Sequence, residues 1–399
     1  MKMSEWKEYR LGEIASFKTG KLNSNAAVVN GLYPFFTCSP EALRINDFAF
    51  DQEAVLLAGN NAEGNFNIKY YTGKFNAYQR TYIISGNEGI NNKFLYYALS
   101  ICLKHFKAYS QGTATKFLTA VILKNFRIII PESNILQRHI ASILSSLDDK
   151  IAVNKKICGN LEAQAQALFK HWFIDFAPFK DGKFVESDLG MIPEELIYKR
   201  IEEIPHTLET GKRPAGGVKG INSGVPSIGA ENIKGLGCYD FSKTKYVPKE
   251  YATSMKKGKI NGYELLIYKD GGKPGYFIPN FAIFGEGYPY DEMCLNEHVF
   301  KLDFGNKGYS LFAYFFFKTK PIMSYLNAQG AKAAIPGINS KDIDAIMMPS
   351  LENECVKNYC NKVEDIITQI LVLSKESARL ATLRDTLLPK LMSGQIKLN

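Results

Sequence analysis

The sequence predicts two copies of a mixed α/β (α+β) module joined by two long antiparallel coiled-coil helices with internal pseudo-twofold symmetry. Three observations predict it. The chain has 399 residues, whereas single hydrophobic cores stop growing at roughly 250–300 residues. Short sequence blocks recur across the chain. Each copy of the repeat is followed by a run of heptads.

The first module is expected over 1–132. Short apolar runs broken by Gly, Asn and Pro read as strands, as in Ala54-Val55-Leu56-Leu57 before Gly59-Asn60-Asn61. A helix-like stretch covers 92–107. A first long helix follows within 133–178, with Ile140, Leu147, Leu161 and Leu168 on one seam position and Leu144 and Ile151 on the other. Asn154 is the polar exception. The second module takes 179–350, including a lead-in linker over 179–193. It has a strand at Glu264–Tyr268 before Asp270-Gly271-Gly272 and a helix-like stretch over 310–326.

A second long helix and a tail fill 351–399. Its seam carries Ile366, Leu373, Leu380 and Leu387 against Val363 and Ile370, interrupted by Ser377 and Arg384. A two-position seam held over five heptads is a coiled-coil signature, because a helix lying on its own domain shows a wider stripe at period 3.6. Arg384 is expected to pair with an acid such as Asp148 or Asp149. Trp172, Phe173 and Phe176 are expected in the core.

The repeat is explicit. Gln111-Gly112 returns as Gln329-Gly330 and Pro131 as Pro349, both 218 residues on. Glu13-Ile14 with Thr19-Gly20-Lys21 returns as Glu203-Ile204 with Thr210-Gly211-Lys212. One module duplicated, with insertions in the second copy, explains these matches. Because the first helix leads from one module to the other, the second must run back along it. A rod with a reading head at each end is the expected result.

Composition narrows the chemistry. Hydrophobic residues at 46% and charged residues at 22% exclude bulk disorder. No run of about 18 apolar residues offers a membrane span, and the first residues lack the apolar core of a secretory signal. Seven cysteines without a C-x-x-C pair read as reduced thiols in a cytoplasm, with no metal site. The net charge of +9, with 26 Phe and 22 Tyr, suits a polyanionic partner. No phosphate-cradling loop, zinc motif, nucleophile elbow or dinucleotide fingerprint occurs. His298 beside Glu297 is the one candidate general base, and a structural or base-contacting role suits it better.

Reading duplex DNA requires cations for phosphates and amides or guanidinium groups for base edges. In the first module the candidates in polar, Gly-containing loops are Lys18, Lys21, Asn60, Asn61, Gln79, Arg80, Gln111, Thr113, Thr115 and Lys116. In the second they are Lys212, Arg213, Lys219, Lys269, Lys273, Tyr276, His298, Gln329 and Lys332.

Leu11-Gly12-Glu13-Ile14 with Thr19-Gly20-Lys21, the Gln111-Gly112-Thr113 loop, Pro131, Met191-Ile192-Pro193 and the block from Leu380 through Leu387-Leu388-Pro389-Lys390-Leu391 to Ile396 carry a resemblance. Over its whole length the chain resembles the specificity subunits of type I restriction-modification systems. The resemblance implies two target-recognition domains, each reading half of a split double-stranded DNA site. It also implies helical spacers that fix the gap and dock two methyltransferase subunits. S-adenosylmethionine, ATP and Mg would belong to the methyltransferase and restriction/translocase partners, leaving this chain non-catalytic. Two rivals remain at this point: a nuclease or methyltransferase carrying its own recognition domain, and a protein-binding coiled-coil adaptor without DNA specificity.

Overall fold

The structure, a computed structural model, describes residues 6–187, 190–271, 274–332 and 335–398. The chain divides into two compact units, Met1–Lys150 with Leu380–Asn399, and Ile151–Arg379.

In the first unit, Trp6–Arg10 pairs antiparallel with Arg127–Pro131. A helical turn, Leu11–Ile14, follows at once, its start closed by Glu13 accepting from the Arg10 N–H at 2.8 Å. The Leu11 N–H donates to the Phe126 carbonyl at 2.8 Å, and Leu11 and Ile14 are buried. Ala15–Thr19 then forms the edge of a six-stranded sheet, followed across it by Thr81–Gly86, Phe50–Ala58, Ile68–Ala77, Tyr33–Phe36 and Leu43–Ile45. The apolar run 54–57 lies in a strand buried on both faces. Val55 and Leu57 pack with Phe94, Leu95 and Ala98 of the helix Asn92–Ile101, while Ala54 and Leu56 pack with Phe36, Phe75 and Ile83. Such two-sided burial removes the polar alternation of a half-exposed strand. The expected helix over 92–107 is two helices, Asn92–Ile101 and Leu103–Tyr109.

The second unit contains matching pieces. Tyr198–Arg200 pairs antiparallel with Met347–Pro349. Glu203 accepts from the Arg200 N–H at 2.7 Å, and the Ile201 N–H donates to the Ile346 carbonyl at 3.0 Å. Thr207–Thr210 is the edge of a four-stranded sheet with Val299–Asp303, Leu265–Tyr268 and Phe281–Ala282. A further four-stranded sheet joins Lys245–Val247, Val225–Ile228, Met293–Leu295 and Lys259–Ile260. The expected helix over 310–326 is again two, Lys307–Phe317 and Lys320–Gly330. Pro321 explains the break: proline is tolerated in a first helical turn and not in an interior. Phe312, Phe315 and Phe317 from the first of these helices fill the unit's core.

The two long helices span Asn134–Phe173 and Glu354–Met392, and each is continuous from one unit into the other. Their starts are fixed locally. The Leu136 N–H donates to Ser133 Oγ at 3.3 Å, and the Cys355 N–H donates to Asn353 Oδ1 at 2.9 Å. Fully buried Gln137 donates to the Pro131 carbonyl and accepts from the Asn91 N–H, both at 2.9 Å.

Within the first unit, Ile140, Leu144 and Leu391 are buried, and Arg384 Nη1 lies 2.6 Å from Asp148 Oδ1 as the sequence leads one to expect. Within the second unit the helix contacts run in opposite chain order. Asn154 meets Glu376 and Ser377, Cys158 meets the Ile370 carbonyl, and the Ala165 carbonyl accepts from Tyr359.

The seam departs from a strict heptad where the helices enter the cores. Phe169 and Phe173 are buried, while Leu161 and Leu168 are half-buried. Val356, Tyr359, Cys360, Val363, Ile367, Ile370 and Leu371 are buried, while Ile366 is half-buried. This is a broad 3.6-residue stripe, so here the second helix packs as an amphipathic helix on its own unit. Leu147, Ile151, Leu373, Leu380 and Leu387 are half-buried. Trp172 and Phe176 lie against the second unit's core, with Phe173 inside it.

Candidate nucleic-acid interface

The Thr-Gly-Lys blocks have a backbone explanation. A Cβ on Gly20 would sit 1.7 Å from the Ala77 carbonyl oxygen, and one on Gly211 would sit 1.6 Å from that of Leu295. Each glycine permits a close chain approach just past an edge strand. The lysines that follow, Lys21 and Lys212, are exposed.

In the first unit, main-chain bonds draw most candidates into one patch. The Gln79 N–H donates to the Leu22 carbonyl at 2.9 Å, and the Gly59 N–H donates to the Arg80 carbonyl at 2.7 Å. The Leu118 N–H donates to the Gly59 carbonyl at 2.8 Å, and Gln111 and Phe117 exchange bonds of 3.0 and 2.9 Å. Asn60 and Asn61 pair with Phe117 and Lys116. Thr113 and Thr115 stand exposed in the turn that Gly112 makes at φ +95°. A side chain there would strike the Thr115 carbonyl at 2.1 Å.

Lys18 is exposed on the edge strand opposite Ile83. Two amides are already engaged: Asn61 Oδ1 accepts from the Glu63 and Asn65 N–H groups at 2.9 Å, and Gln79 donates to Asn23 at 2.7 Å. Among the described residues, none of Lys18, Lys21, Arg80 or Lys116 forms an ion pair.

The second unit is arranged differently. Arg213 Nε lies 3.1 Å from Glu297 Oε1. His298 Nε2 lies 3.3 Å from the same oxygen, and His298 Nδ1 bonds Asp270 Oδ1. Lys269 Nζ lies 3.5 Å from Asp270 and donates to the Glu297 carbonyl at 3.2 Å. Backbone bonds join this cluster to the loop after Gln329, from the Gly271 N–H to the Pro336 carbonyl and from the Ile338 N–H to the Lys269 carbonyl.

Gln329 lies in the last turn of the helix Lys320–Gly330 rather than in a loop, and accepts from Lys332 at 2.7 Å. Gly330 is the last residue of that helix, and a Cβ there would strike the Phe277 ring at 2.3 Å. Tyr276 is 61% exposed beside buried Phe277. Lys212 and Lys219 are exposed in the loop 211–224, among the described residues without an ion pair. Lys273 lies outside the described residues.

Asp270 and Glu297 are members of this cluster that the search for cations and amides passed over. Their signal was adjacency, Lys269-Asp270 and Glu297-His298, an acid beside each candidate. A carboxylate oxygen lies beside each ring nitrogen of His298, Asp270 at Nδ1 and Glu297 at Nε2. Nearby, burial opposes ionisation of Glu231, but the Lys245 ammonium at 2.5 Å and Arg213 help bring its carboxyl below the ordinary range.

A cavity of about 670 Å³ in the first unit, lined by residues including Trp6, Ile101, Phe126 and Met392, contains no candidate. Among the described residues, no three His, Cys, Asp or Glu side chains converge as metal ligands, and no helix is long and apolar enough to cross a membrane. All seven cysteines are free.

The family model "Type I restriction modification DNA specificity domain" matches residues 3–163. The chain is 26% identical over 427 residues to the type I restriction enzyme EcoDI specificity subunit of Escherichia coli, covering 98% of this chain and 89% of that protein. It is 26% identical to the MjaIX specificity subunit of Methanocaldococcus jannaschii, covering 78% of this chain and 70% of that one. In fold it is similar to the type I restriction-modification S subunit from M. genitalium, with a TM-score of 0.61 and 16% identity over 97% of this chain and 96% of that one. Residues 3–163 therefore match a type I restriction-modification DNA specificity domain, and the chain is similar over nearly its whole length to type I specificity subunits.

Proposed function

We propose that this chain is the non-catalytic, sequence-specific DNA-binding subunit of a type I restriction-modification complex. Each of two target-recognition domains, taken as 1–132 and 179–350, reads one half of a bipartite double-stranded site. The helices, taken as 133–178 and 351–399 with the tail, fix the gap and dock two methyltransferase subunits. S-adenosylmethionine, ATP and Mg belong to the methyltransferase and restriction/translocase partners, and the assembly works on cytoplasmic DNA.

The observation that carries this reading is near full-length similarity to a type I specificity subunit, joined to a patch of cations and amides in the first unit and a charge-paired cluster in the second. Duplication of one module is supported by the matching ribbons, Glu13 and Glu203 turns, and Gly20 and Gly211 approaches. The continuous helices are about 60 Å long at 1.5 Å per residue, a span near two 34 Å turns of DNA. Lengthening both by one heptad should change the gap and leave both half-sites unchanged.

The test is to map N6-methyladenine in cells expressing the chain with its cognate methyltransferase. A split motif with a fixed gap is expected, and purified chain alone should transfer no label from S-adenosylmethionine. Methylation without sequence preference would defeat the proposal.

A further inference from the structure

We propose that Glu297 is a specificity-determining residue of the second unit, acting as a buttress that orients Arg213 toward a base edge and restrains it from phosphates. The inference rests on the DNA-binding reading and adds a role for an acid. Glu297 Oε1 contacts the Nε edge of Arg213 at 3.1 Å, and among the described residues neither terminal NH₂ group forms an ion pair, although the Glu231 carboxylate lies within electrostatic reach. Those groups make the planar fork that matches O6 and N7 of guanine.

The carboxylate is itself fixed. His298 Nε2 holds the same oxygen at 3.3 Å, while Asp270 holds the opposite ring nitrogen of His298. Asp270 also pairs with Lys269. The result is a chain of alternating nitrogen groups and carboxylates, Arg213–Glu297–His298–Asp270–Lys269. Its two carboxylates offset most of the cationic charge that any duplex would otherwise attract. A phosphate of arbitrary sequence must compete with Glu297 for Arg213, whereas a correctly placed guanine uses the arginine without breaking that pair.

The test uses the chain assembled with its methyltransferase subunits. Affinity is measured against salt for the cognate duplex, for duplexes altered in one half-site, and for an unrelated duplex. Glu297→Gln should bind the unrelated duplex several-fold more tightly and steepen the salt slope by about 0.9, one added phosphate contact. It should also lower discrimination at one base pair of the second half-site by about tenfold, leaving the first half-site unaffected. Arg213→Lys keeps the charge without the fork. It should lose the same discrimination at an unchanged salt slope, which guards against a Glu297 variant that fails to fold. Wild-type slope and wild-type discrimination in both variants would overturn the proposal. A wild-type complex that distinguishes no duplexes would instead overturn the DNA-binding reading.

Discussion

The candidate surfaces of the two units use their cations in opposite ways. In the first, Lys18, Lys21, Arg80 and Lys116 have no carboxylate partner among the described residues and share the surface with Asn, Gln and Thr side chains. In the second, Arg213, His298 and Lys269 are tied to Glu297 and Asp270. Unpaired cations answer to any phosphate, and paired ones answer to geometry. Under the proposed DNA-binding reading, the first surface would supply salt-sensitive attraction and the second a selective contact.

The largest effect should come from the glycines that both units share. Gly20→Val and Gly211→Val each force a side chain into a carbonyl oxygen at under 2 Å, and the nearest neighbours are backbone atoms that cannot swing away. Each should cost roughly 3 kcal/mol or more, read by thermal unfolding of the purified chain. Near-equal losses support a common edge architecture beneath the different surfaces. Tolerance at one position alone would break the comparison at its foundation.

Next in size is the electrostatic contrast. Replacing Lys18, Lys21, Arg80 and Lys116 together by Gln should reduce the salt slope of DNA binding by up to about three to four. Lys269→Gln should change it by much less than one, because Asp270 already offsets that charge. Equal slopes per cation removed in both units would erase the distinction.

This contrast also marks what the sequence hides. The strand runs, the edge blocks and the long helices are legible because each repeats a local rule: alternation or burial, a forced glycine, a heptad. Arg384 against Asp148 is legible too, since a charge on an apolar seam demands a partner. The Arg213–Glu297 pair is not, because its members are far apart in the chain and each looks like an ordinary loop residue. The helix breaks at Cys102 and Lys318 differ in the same sense: Pro321 announces the second, and no residue type announces the first. The wide stripe on the second long helix was masked by a heptad that coexists with it, Ile366 on the seam and Ile367 in the core.

A smaller effect concerns polar insertions in the helix seams. In the first unit Asp148 accepts from Arg384 and from the Tyr97 hydroxyl, both at 2.6 Å. Burial and Asp148 together push the Tyr97 phenol far above its ordinary range. Asp148→Asn leaves Arg384 half-buried with, among the described residues, only exposed Asp385 as a counter-charge. Because the pair is about 28% exposed, the cost should be about 1–2 kcal/mol rather than that of a fully buried pair, measured by denaturant unfolding.

The second unit's insertion should respond with the opposite sign. Asn154 is fully buried; its Nδ2 donates to Glu376 at 2.7 Å and to Ser377 at 3.3 Å, while its Oδ1 has no partner among the described residues. An unmatched buried acceptor is a standing cost, and a seam asparagine characteristically exchanges stability for register. Ser377 retains its bond to the Leu373 carbonyl at 2.8 Å when Asn154 is lost, and Glu376 retains another interaction. Asn154→Leu should therefore leave stability within about 1 kcal/mol of wild type or raise it, seen as a midpoint shifted upward by a few degrees at most. A loss above about 2 kcal/mol would mean that the amide is as necessary here as Asp148 is in the first unit, and the two seams would then obey one rule instead of two.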